Sequence, residues 1–471
     1  MKTMSNRIVM VGFGNIGQAL LPLLSTHFPE YDVHIFEASV GQSQRDVCRR
    51  YHAHLTEQRI TKENYGAVLQ PLLSSRDYLL NLATSVSTCD LIGLAQSSGA
   101  FYLDTCIEPW EYPQADSGIA ITNYALREEV CKLRRQSGGR STAVVAHGAN
   151  PGFVSILLKK GLVDMAKVHG IAHGPCLCAD DWARLARRLD VRVIQISERD
   201  TQVSALARRP GEFVNTWSVD GLVTECLQPA ELGWGTHEVK LPPNARRHQY
   251  GSQAAIYLDR PSHTVKVKSW SPNFLDFDAY LITHNEAISI ADYLTLREAG
   301  VPVYRPTAYY AYHPCDETID SMRLLADNTT AAIESTRILK DEIVSGIDEL
   351  GVFLLSGTYP SLWIGSNLSI GKARKLADQN NATSLQVVAG AVAAMAWMRE
   401  HPNEGVLESD DLDYQFVFDY AEPYWSPIVA QYTDWRPTAT GQSLQFEDFL
   451  IDGSIDKHNE QESSFSDIVE A

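Results

Sequence analysis

Three glycines at positions 12, 14 and 17, within Val11 to Gln18, read G-x-G-x-x-G. That spacing suits a dinucleotide. One glycine allows a tight turn, one lets backbone approach a pyrophosphate, and one lets a helix pack close to its strand. The short apolar run Arg7 to Val11 precedes the motif, and Ile16, Leu20, Leu21, Leu23 and Leu24 follow at helical spacing. The start of such a helix offers free N–H groups and a positive dipole end to phosphates. Glu37 closes the next apolar stretch, twenty residues beyond Gly17. A carboxylate there accepts hydrogen bonds from ribose hydroxyls and repels a 2′-phosphate, so NAD is expected rather than NADP. The plain alternative is a glycine-rich turn with no ligand. The coincidence of strand, glycines, helix and acid weighs against it. Gly12, Gly14, Asn15, Ile16, Gly17 and Glu37 are therefore expected at the cofactor.

Three further stretches end apolar runs: Asn81 to Thr84, Asp104 to Trp110, and Gly148 to Gly152. In a doubly wound sheet the carboxyl ends of strands line the ligand crevice. Asn81, Leu82, Ala83, Thr105, Ala149, Asn150 and Pro151 join the expected cofactor contacts on that ground, though turn chemistry alone also explains such residues. One metal-like cluster stands apart, with His169, His173, Cys176 and Cys178 in "VHGIAHGPCLC". Zinc sites more often combine C-x2-4-C with H-x3-5-H and a distant second pair, so no metal is expected.

These residues need a scaffold. Strand-like runs at Arg7 to Val11, Asp32 to Ala38, Asp77 to Ala83, Ala100 to Thr105 and Ser141 to Gly148 alternate with helical stretches. That alternation predicts an α/β fold with a Rossmann-like, doubly wound parallel sheet over residues 1–150. The middle of the chain differs. "VRVIQISERDTQ", "EFVNTWSVDGLVTECL", "AAIYL", "HTVKVKSW" and "FDAYLITH" are successive strand-like runs. They predict a second α+β domain with a mostly antiparallel sheet over residues 151–370, for substrate and dimer contacts. Helical patterning returns over residues 371–447, where "LQVVAGAVAAMAWMREHP" is apolar nearly all round and suits a buried helix packed back on the first domain. The acidic stretch 448–471 is expected to be partly disordered.

Composition narrows the function. The chain has 471 residues and a net charge of −18, with 58 acids against 40 Lys plus Arg. No basic footprint is present, so nucleic acid is not expected as a partner. An acidic surface does suit a cationic ligand. The longest nearly apolar stretch, Leu385 to Met398, is too short to span a bilayer. The residues after Met1 lack a secretory h-region, so no membrane partner and a cytoplasmic location are expected. The eight cysteines are scattered and form no disulfide framework.

Longer blocks carry a family resemblance. "GFGNIGQALLPLL", "DTCIEPW", "TNYALRE", "GANPGFVS", "ERDTQ", "VNTWSVDGLVTECLQPAELGWGT", "LITHNEAISIADYLT", "YAYHPC" and "GIDELGV" resemble the bacterial homospermidine synthases, in that order, from about residue 7 to 436. Their nucleotide domain is similar to that of saccharopine dehydrogenases. The resemblance implies an NAD-dependent aminobutyl transfer from putrescine or spermidine to a second putrescine. The amine is oxidised to an imine, ammonia (or diaminopropane) leaves, and the new imine is reduced by the same NADH. It also implies a homodimer. The family's substrate carboxylates fall on Glu108, Glu198, Glu225 and Asp348, with Asn150, Trp217 and His284 beside them. One position departs: Ser85 in "NLATS" stands where the family can show an acid.

Chemistry fits those types. A diamine is a dication, and a buried unpaired ammonium costs several kcal/mol, so carboxylates must meet it. One amine must also lose a proton before hydride removal. Glu225 and His284 are the expected acid/base pair, with Glu198, Glu108 and Asp348 as anchors. The Trp217 ring attracts ammonium or iminium. If Phe213 to Leu227 were one strand, Trp217 and Glu225 would share a face; a hairpin at Asp220-Gly221 would separate them. The site reading favours the continuous or bulged strand. Asn285 is the expected N-cap of a helix over "EAISIADYLTLRE". The competing reading is a saccharopine- or carboxynorspermidine-type dehydrogenase with net redox change, whose acidic substrates would need Arg or Lys in the pocket. Arg127 and Arg199 are the basic exceptions among these blocks.

Overall fold

The computed structural model describes residues 6–112, 122–438 and 443–451. Its first sheet has seven strands, all parallel. Six come early: β1 (Arg7–Val11), β2 (Asp32–Glu37), β3 (His54–Glu57), β4 (Tyr78–Asn81), β5 (Phe101–Asp104) and β6 (Ala143–Val145). Spatial order runs β3-β2-β1-β4-β5-β6, and Val406–Glu408 adds the outer strand beside β6. Apolar residues fill β1, β4, β5 and β6 on both faces, as helix-covered parallel strands require. Chain order reverses between β1 and β4. The crevice above that point is where open α/β sheets bind ligands. Helix α1 (Asn15–His27) starts there.

The second sheet has ten strands and is mostly antiparallel. At its centre lies Val191–Asp200, flanked by Thr307–His313 in parallel and Ile347–Ser356 in antiparallel register. Glu198 sits opposite Tyr312 on one side and Leu350 on the other; Asp200 sits opposite Asp348. These strands are almost wholly buried, so their few acids are buried with them.

Helix Ala382–Glu400 joins the two sheets. It packs on α1 and on helix Tyr414–Trp425, and Tyr78 Oη on β4 donates to the Met395 carbonyl at 2.7 Å. Helix Phe153–Val168 packs on the second sheet. One hydrophobic cluster therefore runs from Ile8 and Met10 through Val388 and Val392 to Ile194 and Leu354. Asn381 caps the long helix through its side chain, and the helix ends just before Pro402.

Several expectations need correction. "EFVNTWSVDGLVTECL" is neither a continuous strand nor a hairpin. Strand Glu212–Asn215 gives way to helix Val219–Leu227, capped by the Ser218 hydroxyl. Its β-branched Val and Thr look strand-like, but the serine cap, Asp220 in the first turn and a tertiary position against the core decide for helix. The helix after "THNE" spans Asn285–Tyr293 only, with His284 rather than Asn285 at the N-cap position. The segment 371–447 is not only helical, because Val406–Glu408 extends the first sheet and Ile428–Thr433 edges the second. Of the acidic stretch, 448–451 is ordered beside the buried Phe446 and Phe449. The expectation of disorder for 452–471 lies outside the described residues. Among the described residues no helix is long and apolar enough to cross a membrane, and no three metal-ligating side chains converge.

Candidate active site

The glycine loop shows three different spatial needs. Gly12 has φ +91°, and a Cβ there would lie 2.7 Å from Ala83 N and from Leu82 backbone atoms. A Cβ on Gly17 would meet the Gly12 carbonyl at 2.9 Å, so Gly17 seats α1 against its strand. A Cβ on Gly14 would meet nothing within 4 Å. That open space, at the first turn of α1, has the room and the free N–H groups that a pyrophosphate would need. Glu37 reaches back to the loop, its Oε2 accepting from Phe13 N at 2.6 Å and its Oε1 from Ala38 N at 2.7 Å. A carboxylate has further lone pairs for ribose hydroxyls, so the acid fits NAD. The loop, Glu37, and Leu82 to Val86 form one side of a groove of about 1690 Å³; Thr336 to Ile338 and Lys340 form the other.

The groove opens into an inner cavity of about 900 Å³, sharing Ile16, Leu82, Ala83, Thr84 and Ser218 with it. Here the strand ends of the first sheet meet the second. Asn81, Thr105, Ala149, Asn150 and Pro151 face Glu198, Trp217, Glu225, His284 and Tyr310. A third chamber of about 860 Å³ continues outward past Ser85, Glu108, Tyr112 and Asp220. Thus nearly all the sequence-expected residues line one connected cleft. Gly17 stands behind it as packing. Asp348 also lies behind the cavity wall, its Oδ2 accepting from Thr383 Oγ1 at 2.6 Å.

Fixed charge divides sharply along this cleft. The inner cavity holds Glu108, Glu198 and Glu225 but neither Lys nor Arg, and the outer chamber adds Asp220 with the same lack. The groove holds Arg59, Arg337 and Lys340 beside the carboxylates of Glu37 and Asp220. Arg127 and Arg199 stay out of the cleft. Arg127 is buried in a bidentate pair with Glu408, at 2.6 and 2.7 Å, and reaches Asp292 at 2.9 Å. It thereby fixes the helix behind His284 to the first sheet. Arg199 donates to the carbonyls of Asp200 and Pro314.

His284 is sandwiched. Its Nδ1 lies 3.1 Å from Glu286 Oε1 and its Nε2 lies 3.1 Å from Glu225 Oε2. Burial pulls the imidazole pKa down, but the two carboxylates outweigh burial and hold it well above its ordinary 6.5. Neither Glu225 Oε2 nor His284 Nε2 makes an aligned hydrogen bond, despite being buried. A buried carboxylate oxygen without a hydrogen donor is a place for one from a ligand. Burial raises the Glu225 pKa, which the His284 charge opposes.

Glu198 accepts from Tyr310 Oη at 2.5 Å and Asn150 Nδ2 at 3.4 Å. With Asp200 and Asp348 it forms a buried trio. Desolvation and mutual repulsion push Glu198 and Asp348 far above the carboxylate range. Asp348 Oδ1 has no partner. Glu108 Oε2 accepts from Ser85 N at 3.1 Å and Tyr112 Oη at 3.0 Å, and burial pushes its pKa up to about 7. Ser85 therefore contributes a backbone N–H to an acid, from a residue at φ +60°. Asp104 proves structural: it is buried and locks Thr88, Tyr102 and Ala146 together at 2.6 to 2.7 Å.

Sequence reasoning missed Glu286, Tyr310, Thr383, Cys106 and Lys340. Glu286 left a signal as the acid of "HNE", Cys106 lies between Thr105 and Glu108, and Tyr310 opens the block "YAYHPC". Thr383 and Lys340 reach the cleft from elements far away in the chain.

A parallel nucleotide-binding sheet joined to an acid-lined cavity under a second sheet defines an NAD(P)-binding enzyme of amine chemistry. The saccharopine dehydrogenase NADP binding domain family matches residues 8–144, and the saccharopine dehydrogenase C-terminal domain family matches 148–431. The homospermidine synthase of Blastochloris viridis is 42% identical over 448 residues, 94% of each chain. That of Mesorhizobium japonicum is 39% identical over 91% of each chain. A crystal structure of homospermidine synthase from Legionella pneumophila, in complex with NAD, superposes with TM-score 0.88 at 40% identity, covering 95% of this chain and 98% of that one. The chain belongs to the homospermidine synthase family.

Proposed function

We propose that this protein makes homospermidine, moving an aminobutyl group from putrescine or spermidine onto putrescine, with NAD as a retained cofactor. The observation that carries the reading is the division of charge along the cleft. Arg and Lys side chains reach the groove where phosphates would lie, whereas among the described residues the chambers where a dication would lie hold carboxylates with His284 as their one basic group. A substrate carrying carboxylates would meet Glu108, Glu198 and Glu225 with neither Lys nor Arg among the described lining residues to receive it, which sets the saccharopine-type dehydrogenase reading aside.

When bound, the nicotinamide supplies an acceptor for a hydride from the carbon beside the reacting amine, and a donor for the later imine. The protein's own groups do the rest. Glu198, held by Tyr310 and Asn150, anchors an ammonium at the buried end of the cavity. Glu108 meets the outer ammonium. Glu225, which lines the cavity beside His284, takes the proton that frees the reacting amine. His284, protonated between Glu225 and Glu286, is set to give a proton to the leaving amine. Trp217 lines the cavity, where an iminium over its ring would gain about 0.5 to 2 kcal/mol from the π-system. Asp348 acts from behind, through Glu198 and Thr383.

In this reading residues 1–150 serve the cofactor and 151–370 the substrate. A cytoplasmic homodimer is the expected assembly, and light scattering of the purified protein checks its mass. Function is tested by incubating the protein with putrescine and substoichiometric NAD⁺. Homospermidine and ammonia should accumulate with no lasting NADH absorbance. Stoichiometric NADH, or no new amine, would overturn the assignment.

A further inference from the structure

The far wall of the dinucleotide groove comes from the second half of the chain. Strand Ser335–Ile338 pairs with Glu212–Asn215 and leads into Lys340. The Lys340 ammonium approaches the first turn of α1, where its hydrogen-bond partner is Gln18 Oε1 at a long 3.5 Å. No carboxylate among the described residues lies within 4 Å of it. Its neighbour Arg337 contrasts with it: that guanidinium is paired with Glu212 at 3.0 Å and Glu342 at 2.7 Å. Burial lowers the Lys340 pKa, so the ammonium is partly desolvated as well.

A cation beside a helix N-terminus faces the positive end of the dipole. Asp341 and Glu342 favour the Lys340 charge from a distance, and Glu342 accepts from the Lys340 backbone N–H at 2.9 Å, but neither carboxylate is within ion-pairing reach of the ammonium. Its approach is also arranged. The Gln18 side-chain amide donates to the carbonyls of Phe13 and Gly14, at 3.2 and 3.0 Å, which turns Oε1 away from the loop and toward the lysine. Those carbonyls belong to the same glycine loop whose open side, at Gly14, has room for a phosphate.

We propose that Lys340 is the second jaw of the cofactor site: its ammonium pairs with the dinucleotide pyrophosphate laid on the start of α1, positioned by Gln18. The cofactor is then held between two halves of the chain instead of lying on one. Release requires the Lys340 wall to part from α1, which suits a cofactor that must stay through an oxidation and a reduction. This inference rests on the NAD reading above.

The test compares the parent with Lys340→Gln and Lys340→Arg, using calorimetric titration with NAD⁺, ADP-ribose and adenosine. Lys340→Gln should weaken NAD⁺ and ADP-ribose by about 10- to 100-fold, the scale of one charge-assisted hydrogen bond. Adenosine, which lacks phosphate, should bind both proteins alike, and Lys340→Arg should restore most of the loss. The parent should also show a steeper salt dependence for ADP-ribose than Lys340→Gln. Equal ADP-ribose affinity in parent and Lys340→Gln would overturn the proposal, as would an equal loss for adenosine, which marks a merely structural lysine. Should Lys340→Gln fail to fold, Lys340→Met takes its place under the same comparison. A parent that binds ADP-ribose but shows no aminobutyl transfer would instead sink the functional reading and leave Lys340 standing.

Discussion

His284 owes its protonation to two acids on opposite sides of one ring, and this makes its role testable. Replacing Glu286 with Gln removes one of them while Glu225 stays. The imidazole pKa should fall by on the order of one unit, as expected for losing a charge at hydrogen-bond range. The alkaline limb of kcat/KM for putrescine should move to lower pH with it; an unmoved limb would exclude His284 as the proton donor. Trp217 has its own control at Gly221. A Cβ there would press on Trp217 Cζ3 at 2.8 Å, whereas alanine otherwise favours the helix. Gly221→Ala should therefore keep the thermal midpoint and NAD affinity while lowering kcat/KM about tenfold, since small misplacement at a reacting centre is costly. A parent-like rate would show that the ring position does not matter. At this scale the sequence was partly legible. Gly12, Gly14, Gly17 and Glu37 all belong to one βαβ unit, so spacing alone exposes them. Tyr310 and Thr383 reach Glu198 and Asp348 only once distant strands and helices are paired, which local spacing does not show.

Among the elements, helix Ala382–Glu400 carries the most consequence. Its first turn supplies Thr383 to Asp348, and its N-terminal dipole favours negative charge at that place. Farther along, Gly390 passes directly over the Gly148 to Gly152 loop, where a Cβ would sit 2.1 Å from the Gly148 carbonyl oxygen. Gly390→Ala should displace the loop that holds Asn150. Forced overpacking of this kind costs about 1–3 kcal/mol. A denaturant melt should show that loss, together with weaker putrescine binding; an unchanged midpoint would mean the loop yields freely. The apolar run reveals this helix in the sequence, because among the described residues no other element stays so nearly buried all round over a run as long as Ala382 to Met398. Helix Val219–Leu227 was hidden by its β-branched composition, and Val406–Glu408 by its three-residue length. A strand that short is made by its partner β6, not by its own propensity.

For the whole molecule, the buried acids set how stability varies with pH. Glu108 and Glu238 are both pushed up to about 7 by burial. Their folded pKa exceeds the unfolded value near 4.5, so the native state binds more protons and stability falls as pH rises toward and through 7. Buried histidines act oppositely. His147 is lowered to about 3 and His237 to about 4, so each costs stability as pH drops below 6.5. The two sets offset one another between 4.5 and 6.5; above that range the raised acids act, joined by His284, whose raised pKa has the same sign. From pH 6.5 to 8 the substrate-free protein should lose about 1 kcal/mol for each such acid. The two acids differ in place. Glu108 faces the amine cavity, whereas Glu238 lies in a separate cleft with Arg247 and Arg305. Putrescine offers counter-charge to the first and none to the second. Thermal melts at constant NAD should therefore show putrescine raising the midpoint more at pH 8 than at pH 6.5. Glu238→Gln should flatten the pH slope of the free protein and leave the putrescine increment intact. An increment equal at both pH values would mean that ionised carboxylates do not hold the diamine, and the charge division of the cleft would need another cause.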